Sequence, residues 1–494
     1  MLIDPPNRAT NGSGSLDDAR VAVRGGAALL VLQTLGRAFG LLFVVVVTRH
    51  LAPEEFGRYS TVAAVVLLGN MLADFGTSAA ITRQVSRAPE DADPLLSGTL
   101  LGSLVLGLVA YVGVLAFAAV SYSSTTFVDM MIGGLAIPSA AMLSSLSGVL
   151  DGRGLIARRA AISALQTFAV AAGAVPVLLG SGVRGALIAM AVAPLLCLVL
   201  AGVAARRDGA WRTPLGLDVG RTISLLKAAA PYAATGGLAA LTMRFDVVLL
   251  SLLGSPGETA SYDLALRLLE AGTYLSVALA GPLLFLLSRR LGSGDIAGAR
   301  RAYAEAVRVL YLLGLPLSVG LVLLARPVVD VALGPEFGGA ALPFAILGAG
   351  QWLTWLIYSQ SALIMAGDSM RRAVMLGLKI AAATVALDLL LVPTFGAVGA
   401  SAAMLVSWAF SAVLLHRFGR RTAGVPTPPP SLRVLVPTAF MGIVVFALQG
   451  QPVLQVAAGV LVYTAGVLIS RAVTPADVSR VTGLIRPRRA ILSS

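Results

Sequence analysis

Arg244 and Asp246 stand two residues apart in an otherwise apolar stretch, LTMRFDVVLLSLLG, from Leu241 to Gly254. A guanidinium is a planar fork that donates two parallel hydrogen bonds, the arrangement that phosphate oxygens accept. A carboxylate in apolar surroundings suits the carriage of a proton or a sodium ion. Five more ionisable residues lie inside similarly apolar runs: Arg37, Asp74, Arg267, Glu270 and Asp388. Asp263, Arg267 and Glu270 follow one another at i, i+4 and i+3 spacings and share a helix face, which places Glu270 to neutralise Arg267. Arg244 and Asp246, being two apart, point in different directions. Other chemistries have few residues to work with. One cysteine, Cys197, and two histidines, His50 and His416, make no metal-ligating or nucleophile–base pattern, so no metal, no cofactor and no catalysis are expected.

The elements that must hold these charges follow from composition. Of 494 residues 57% are hydrophobic and 12% charged, with a mean hydropathy of +0.87. Soluble domains carry about 25% charged residues. The expected fold class is therefore all-α integral membrane. Counting one crossing per about 20 apolar residues gives about fourteen transmembrane helices. They centre near residues 37, 68, 107, 138, 170, 194, 240, 275, 313, 352, 382, 406, 441 and 462.

The formal charge of +13 is a topology signal rather than a nucleic-acid footprint, because the basic residues cluster between apolar runs. Even-numbered gaps between spans hold Arg83 and Arg87, Arg153 to Arg159, Arg206 to Arg221, Arg289 to Arg301, Arg371 and Arg372, and Arg417 to Arg433. Odd-numbered gaps hold little beyond Arg49, Arg58, Arg184 and Arg326. Positive loops face the cytoplasm, so an even number of spans with both termini cytoplasmic is expected. The divisions are a tail over 1–24, an N-lobe over 25–207 with spans 1–6, and a C-lobe over 208–421 with spans 7–12. Spans 13 and 14 occupy 422–475, and a second tail runs over 476–494. TAGVPTPPPSLR, residues 422–433, is the Pro-rich connector to the last pair.

The chain also repeats itself. GVLDGRGLIARRAAISAL (148–165) matches LIMAGDSMRRAVMLGL (363–378), and GSGVRGALIAM (180–190) matches PTFGAVGASAAM (393–404), at offsets of about 213 and 214 residues. LAPEEFGRYS (51–60) and LGSPGETASYDL (253–264) each join the first two spans of a half. Six spans per copy keep the orientation, so the halves are expected to be parallel copies with a substrate site near the midplane between them. Most of the intramembrane charges come from spans 1, 2, 7 and 8, the matching pairs. Aligned from Tyr59 and Tyr262, Arg37 and Arg244 fall at comparable places, about one helical turn apart.

Each such charge has two readings. An intramembrane ionisable residue is unfavourable by roughly 2.5–3.5 kcal/mol at a helix centre, so it faces either a wet cavity or a partner. For Arg37 and Arg244 the first reading, a basic cavity that grips phosphate, is favoured. Arg267, Asp246 and Glu270 lean towards helix–helix pairing. Asp74 and Asp388 lie late in spans 2 and 11, where structural pairing is favoured more strongly. Gln33, Gln166, Gln351 and Gln360 fit either reading, and Trp352, Trp355 and Tyr358 face either lipid or cavity.

The first helix pair, TRHLAPEEFGRYSTVAAVVLLGNMLADFGTSAAITRQVSR (48–87), resembles the polysaccharide-exporter branch of the multidrug/oligosaccharidyl-lipid/polysaccharide (MOP) transporter superfamily. That branch has an acidic-Phe-Gly-x-Tyr turn here and an Asp-x-Gly near the end of span 2. RFDVVLLSLLGSPGETASYDLALRL (244–268) is similar to its spans 7 and 8. LDLLLVPTFGAVGASAA (387–403) is similar to its junction of spans 11 and 12, where Asn often stands in place of Asp388. The resemblance extends over roughly residues 20–420. It implies two six-helix, MATE-like lobes around a central cavity, plus a C-terminal pair whose groove takes a lipid tail.

It further implies a flippase for a polyprenyl-diphosphate-linked oligosaccharide, working by alternating access in a bacterial cytoplasmic membrane. Arg37, Arg244 and Arg267 would hold the diphosphate. Asp246, Glu270, Asp74 and Asp388 would be coupling groups or charge partners. The expected partners are the lipid-linked oligosaccharide and membrane lipids, with polymerase or glycosyltransferase machinery as candidate proteins and the chain itself a monomer. A lipid II flippase and a cation-coupled multidrug exporter of the same fold are the competing readings. Basic residues in the cavity argue against the exporter. A membrane polymerase or ligase would need a long extracytoplasmic loop, and every odd gap is short.

Overall fold

The computed structural model describes residue 36 and residues 38–207, 211, 213, 216, 218–367, 370–422 and 424–472. The described residues are nearly all helical and contain no strand. Contacts divide the chain into two compact units, Met1–Leu51 with Val62–Ala240, and Ala52–Thr61 with Leu241–Ser494. The division cuts the helix across span 7, and it places the short turn segment Ala52–Thr61 with the second half.

The first unit contains α1 (Ala38–Thr48), most of α2 (Pro53–Asp74), α3 (Thr77–Arg87), α4 (Ala92–Ser121), α5 (Ser124–Gly134) and α6 (Ala136–Gly152). It continues through α7 (Ile156–Ala171), the single turn α8 (Ala174–Pro176), α9 (Gly182–Arg207) and the first part of α10 (Val219–Leu253). α6 is its centre and packs on α3, α4 and α9. Ile81, Val85, Leu96, Leu146 and Val149 form a shared core there, closed by Trp211. Asp74 belongs to this unit. Its carboxylate accepts from the Ser144 hydroxyl at 2.6 Å and from the Ser78 N–H at 3.3 Å, and so ties the start of α3 to α6.

The second unit holds the rest of α10, α11 (Pro256–Gly292), α12 (Ile296–Leu323), α13 (Ala325–Ala332), α14 (Ala341–Ala349) and α15 (Gln351–Met365). It ends with α16 (Met370–Thr422), α17 (Leu432–Ala447) and α18 (Pro452–Ile469). α15 is central, packed on α11, α12 and α16. Trp355 is buried, with its indole N–H donating to the Gly272 carbonyl at 2.9 Å. The Gln351 and Gln360 amides bond the Thr273 and Thr427 side chains, so both glutamines pair between segments. The Pro-rich connector is held against α12. Arg300 donates to the Gly424 carbonyl and Tyr311 to the Pro428 carbonyl, at 2.7 and 3.1 Å. α17 and α18 pair with each other and lean on α12, where the Tyr463 hydroxyl donates to the Leu312 carbonyl.

Every expected span centre from residue 68 to residue 462 falls within a helix. Among the described residues seven helices are long and apolar enough to cross a membrane, or eight with the bent pair Pro335–Ala349 and Gln351–Met365. Two of these run to 52 and 48 residues, far beyond the length of one crossing. Each is broken by a glycine in a backbone conformation that side chains resist: Gly182 at φ 59°, ψ −153° and Gly396 at φ 54°, ψ −131°. Those two glycines are 214 positions apart, the offset of the internal repeat, so the repeat extends to backbone geometry.

Candidate functional site

α10 and α11 meet at a tight turn. Ser255 caps α11 reciprocally with Glu258, its hydroxyl accepting from the Glu258 N–H while the Glu258 carboxylate accepts from the Ser255 N–H. Pro256 supplies the fixed first residue of the helix. The turn thereby sets the register in which the last turns of α10 face the first turns of α11.

In that register Asp263 becomes a hub. It is buried, and its carboxylate accepts from Arg244 Nη1 at 2.8 Å, from Arg267 Nε at 2.7 Å and from the Ser60 hydroxyl at 2.7 Å. Glu270, half exposed, lies 3.5 Å from Arg244 Nη2. The close ion pairs are Asp263 with Arg267 and Glu270 with Arg244, and Glu270 also stays within electrostatic range of Arg267. The i,i+4 spacing on α11 matches the Asp263–Arg267 pair, while Arg244 finds its partners across the two helices.

The arginines are anchored without being used up. An arginine has five N–H donors, and Asp263 occupies one from each. The Arg244 and Arg267 side chains remain 18% and 22% exposed. A buried carboxylate that holds one edge of two guanidiniums orients their other edges, and fixed forks of this kind bind phosphate oxygens.

The segment Ala52–Thr61 is seated on this cluster. The Arg267 guanidinium lies 5.8 Å from the centre of the Tyr59 ring, within cation–π range. Gly57 lies against the first residue of α11, where a Cβ would fall 1.8 Å from the Pro256 carbonyl oxygen. Only glycine admits that approach.

Asp246 makes no hydrogen bond or ion pair with the hub among the described residues. It is buried and accepts from the Tyr262 hydroxyl and the Val247 N–H. Asp388 on α16 is also buried, and neither carboxylate oxygen has a hydrogen-bond partner among the described residues. It lies within electrostatic range of Asp246 and Tyr262. α10 therefore gives its two charges different hydrogen-bond partners, Asp263 for Arg244 and Tyr262 for Asp246. Among the described residues no group of three or more His, Cys, Asp or Glu side chains is placed to hold a metal ion.

Of the residues singled out from sequence, Arg244, Arg267 and Glu270 are brought together, Asp246 and Asp388 are each buried in the second unit, and Asp74 lies in the first unit. Arg37 lies outside the described residues. Ser60, Tyr59 and Tyr262 were not singled out as site residues. The signal was available in the repeat, which aligns Tyr59-Ser60 with Tyr262-Asp263.

Comparisons agree with this fold. The structure resembles the lipid II flippase MurJ in an inward closed conformation with a TM-score of 0.76 at 14% identity, over 93% of this chain and 99% of that one. It also resembles an inward-facing multidrug resistance MATE transporter of the MOP superfamily, with a TM-score of 0.62 at 16% identity over 79% and 94% of the two chains. A MOP superfamily transporter from Pyrococcus furiosus, described as having a binding pocket of reverse polarity, matches with a TM-score of 0.57 at 17% identity over 81% and 95%. No curated protein sequence matches the chain. The model of one family, described as polysaccharide biosynthesis protein, matches residues 22–285, just over half of the chain. This multi-pass membrane chain, with a MurJ- and MATE-like fold, belongs to the polysaccharide biosynthesis protein family.

Proposed function

We propose that the protein flips a polyprenyl-diphosphate-linked oligosaccharide across a bacterial cytoplasmic membrane by alternating access, with both termini in the cytoplasm. The observation that carries this reading is the pair of guanidiniums, Arg244 and Arg267, oriented by one buried carboxylate and still partly open. A diphosphate offers the matching acceptors. Family membership ties the substrate to polysaccharide assembly.

The lipid tail has a candidate course beside α12. One apolar hollow of about 550 Å³ is lined by Leu315, Val319, Trp352, Gly442 and Phe446, and another of about 310 Å³ by Leu317, Leu321, Met441, Val445 and Val460. Both are built with residues of α17, and the second also with α18. Asp388 is the carboxylate we assign to coupling, because a buried acid with no hydrogen-bond partner among the described residues needs a neutralising cation, a proton or sodium ion.

The test is substrate choice in proteoliposomes. A fluorescent polyprenyl-diphosphate oligosaccharide, lipid II and a cationic dye are offered separately to the wild type. Head-group movement of the oligosaccharide supports the proposal. Movement of lipid II alone, or of the dye alone, would transfer the protein to the corresponding alternative.

A further inference from the structure

Where α11 passes into α12, apolar residues end and charge begins. α11 closes on Arg289 and Arg290, and α12 carries Arg300 and Arg301 in its second turn. These arginines do different things. Arg300 is held by the Gly424 carbonyl, and Arg308 further along α12 by the Ala472 carbonyl. Arg290 makes one contact of 3.5 Å with Asp295. Arg301 is exposed and has no hydrogen-bond or ion-pair partner among the described residues.

Arg290 and Arg301 line one hollow of about 450 Å³ between the two helices. Its other walls are Leu286, Ala302, Ala306 and Val309, with Glu305. Leu286 and Val309 are large apolar residues left exposed beside the guanidiniums. The formal charge of the lining is +1, from two arginines and one glutamate.

We propose that this hollow binds the headgroup of an anionic glycerophospholipid. The phosphodiester lies between Arg290 and Arg301, and the first methylenes of the chains lie on Leu286 and Val309. A guanidinium pair matches the singly charged phosphodiester, and basic pockets between spanning helices are a recurring form of lipid headgroup site. A free phosphate would leave the apolar walls unused, which is why a lipid is the occupant argued here. The site shares no residue with the Asp263 cluster, and the inference does not depend on the transported substrate.

The test uses the full chain in nanodiscs of phosphatidylcholine with a minor fraction of phosphatidylglycerol, with retained lipid counted by native mass spectrometry. Arg290→Gln/Arg301→Gln is compared with Arg289→Gln/Arg420→Gln, which removes the same charge from exposed positions outside the hollow. The first variant is expected to lose at least three-fold in retained phosphatidylglycerol while the second matches wild type. Leu286→Trp, which fills the hollow without changing charge, is expected to show the same loss, so the site is tested even if the double variant folds poorly. Equal retention in all four proteins, or equal loss in both double variants, would overturn the proposal. Displacement of the phosphatidylglycerol by millimolar inorganic phosphate would also overturn it, by making the ligand a free anion.

Discussion

Ser60 donates a 2.7 Å hydrogen bond to the buried carboxylate of Asp263, and the two residues hold the same place in the internal repeat. Ser60 follows Tyr59 as Asp263 follows Tyr262. One copy of the repeat supplies a hydroxyl and the other a carboxylate, and that carboxylate also holds Arg244 and Arg267. A single buried acid thus fixes two arginines and the turn segment Ala52–Thr61.

Replacing Asp263 should therefore be severe. Asp263→Ala removes the buried counter-charge of two partly buried guanidiniums and leaves the half-exposed Glu270 beside them, a loss of about 3–5 kcal/mol when a buried pair is broken. Ser60→Ala removes one hydrogen bond to a charged group, about 1.5–3 kcal/mol. Thermal melting in detergent should order the proteins wild type, Ser60→Ala, Asp263→Ala from most to least stable. An Asp263→Ala melting curve matching wild type would show that the arginines find other partners.

Gly57 is the steric counterpart of that polar contact. In a helix, Gly→Ala normally stabilises by about 1 kcal/mol. At Gly57 the new methyl would fall 1.8 Å from the Pro256 carbonyl oxygen, so Gly57→Ala should lower the melting temperature instead. Gly113→Ala is the control, since a Cβ there meets nothing within 4 Å. The two substitutions should shift stability in opposite directions, and a shared direction would mean the close approach is relaxed at no cost.

Gly182 and Gly396 should respond alike to substitution. Both have positive φ with strongly negative ψ, a region nearly closed to other residues. Gly182→Ala and Gly396→Ala should each lower stability by about 1–3 kcal/mol. A loss at one and none at the other would break the equivalence of the two breaks.

Asp388→Asn should uncouple rather than inactivate. It keeps the shape and removes the acid assigned to coupling. Flipping by the variant should lose its response to an imposed proton or sodium gradient, while downhill exchange continues. A gradient response equal to wild type would release Asp388 from that role.

The larger features of this fold were legible because they have a period or a length. Apolar runs mark the helices, and the aligned segments 180–190 and 393–404 contain Gly182 and Gly396. The charged face of α11 was legible from the spacing of Asp263, Arg267 and Glu270. Spacing gave the Asp263–Arg267 pair but not the partners of Arg244 and Asp246. Arg244 and Asp263 are 19 positions apart, and Ser60 and Asp263 are 203 apart. Such pairings depend on the α10–α11 turn and on the docking of a distant segment, neither of which leaves a local pattern. The Asp246–Tyr262 bond escaped for the same reason, since it crosses that turn.

The central claim is that Arg244 and Arg267 bind the diphosphate of the transported head group. Its most direct test is the initial rate of head-group translocation in proteoliposomes for Arg244→Ala, Arg267→Ala and their lysine counterparts, at matched reconstitution and with melting temperatures recorded. The account expects at least a ten-fold loss in both alanine variants, with partial recovery by lysine, which keeps the charge and gives up the fork. Wild-type rates in both alanine variants would contradict it and leave the two arginines as ties between α10 and α11.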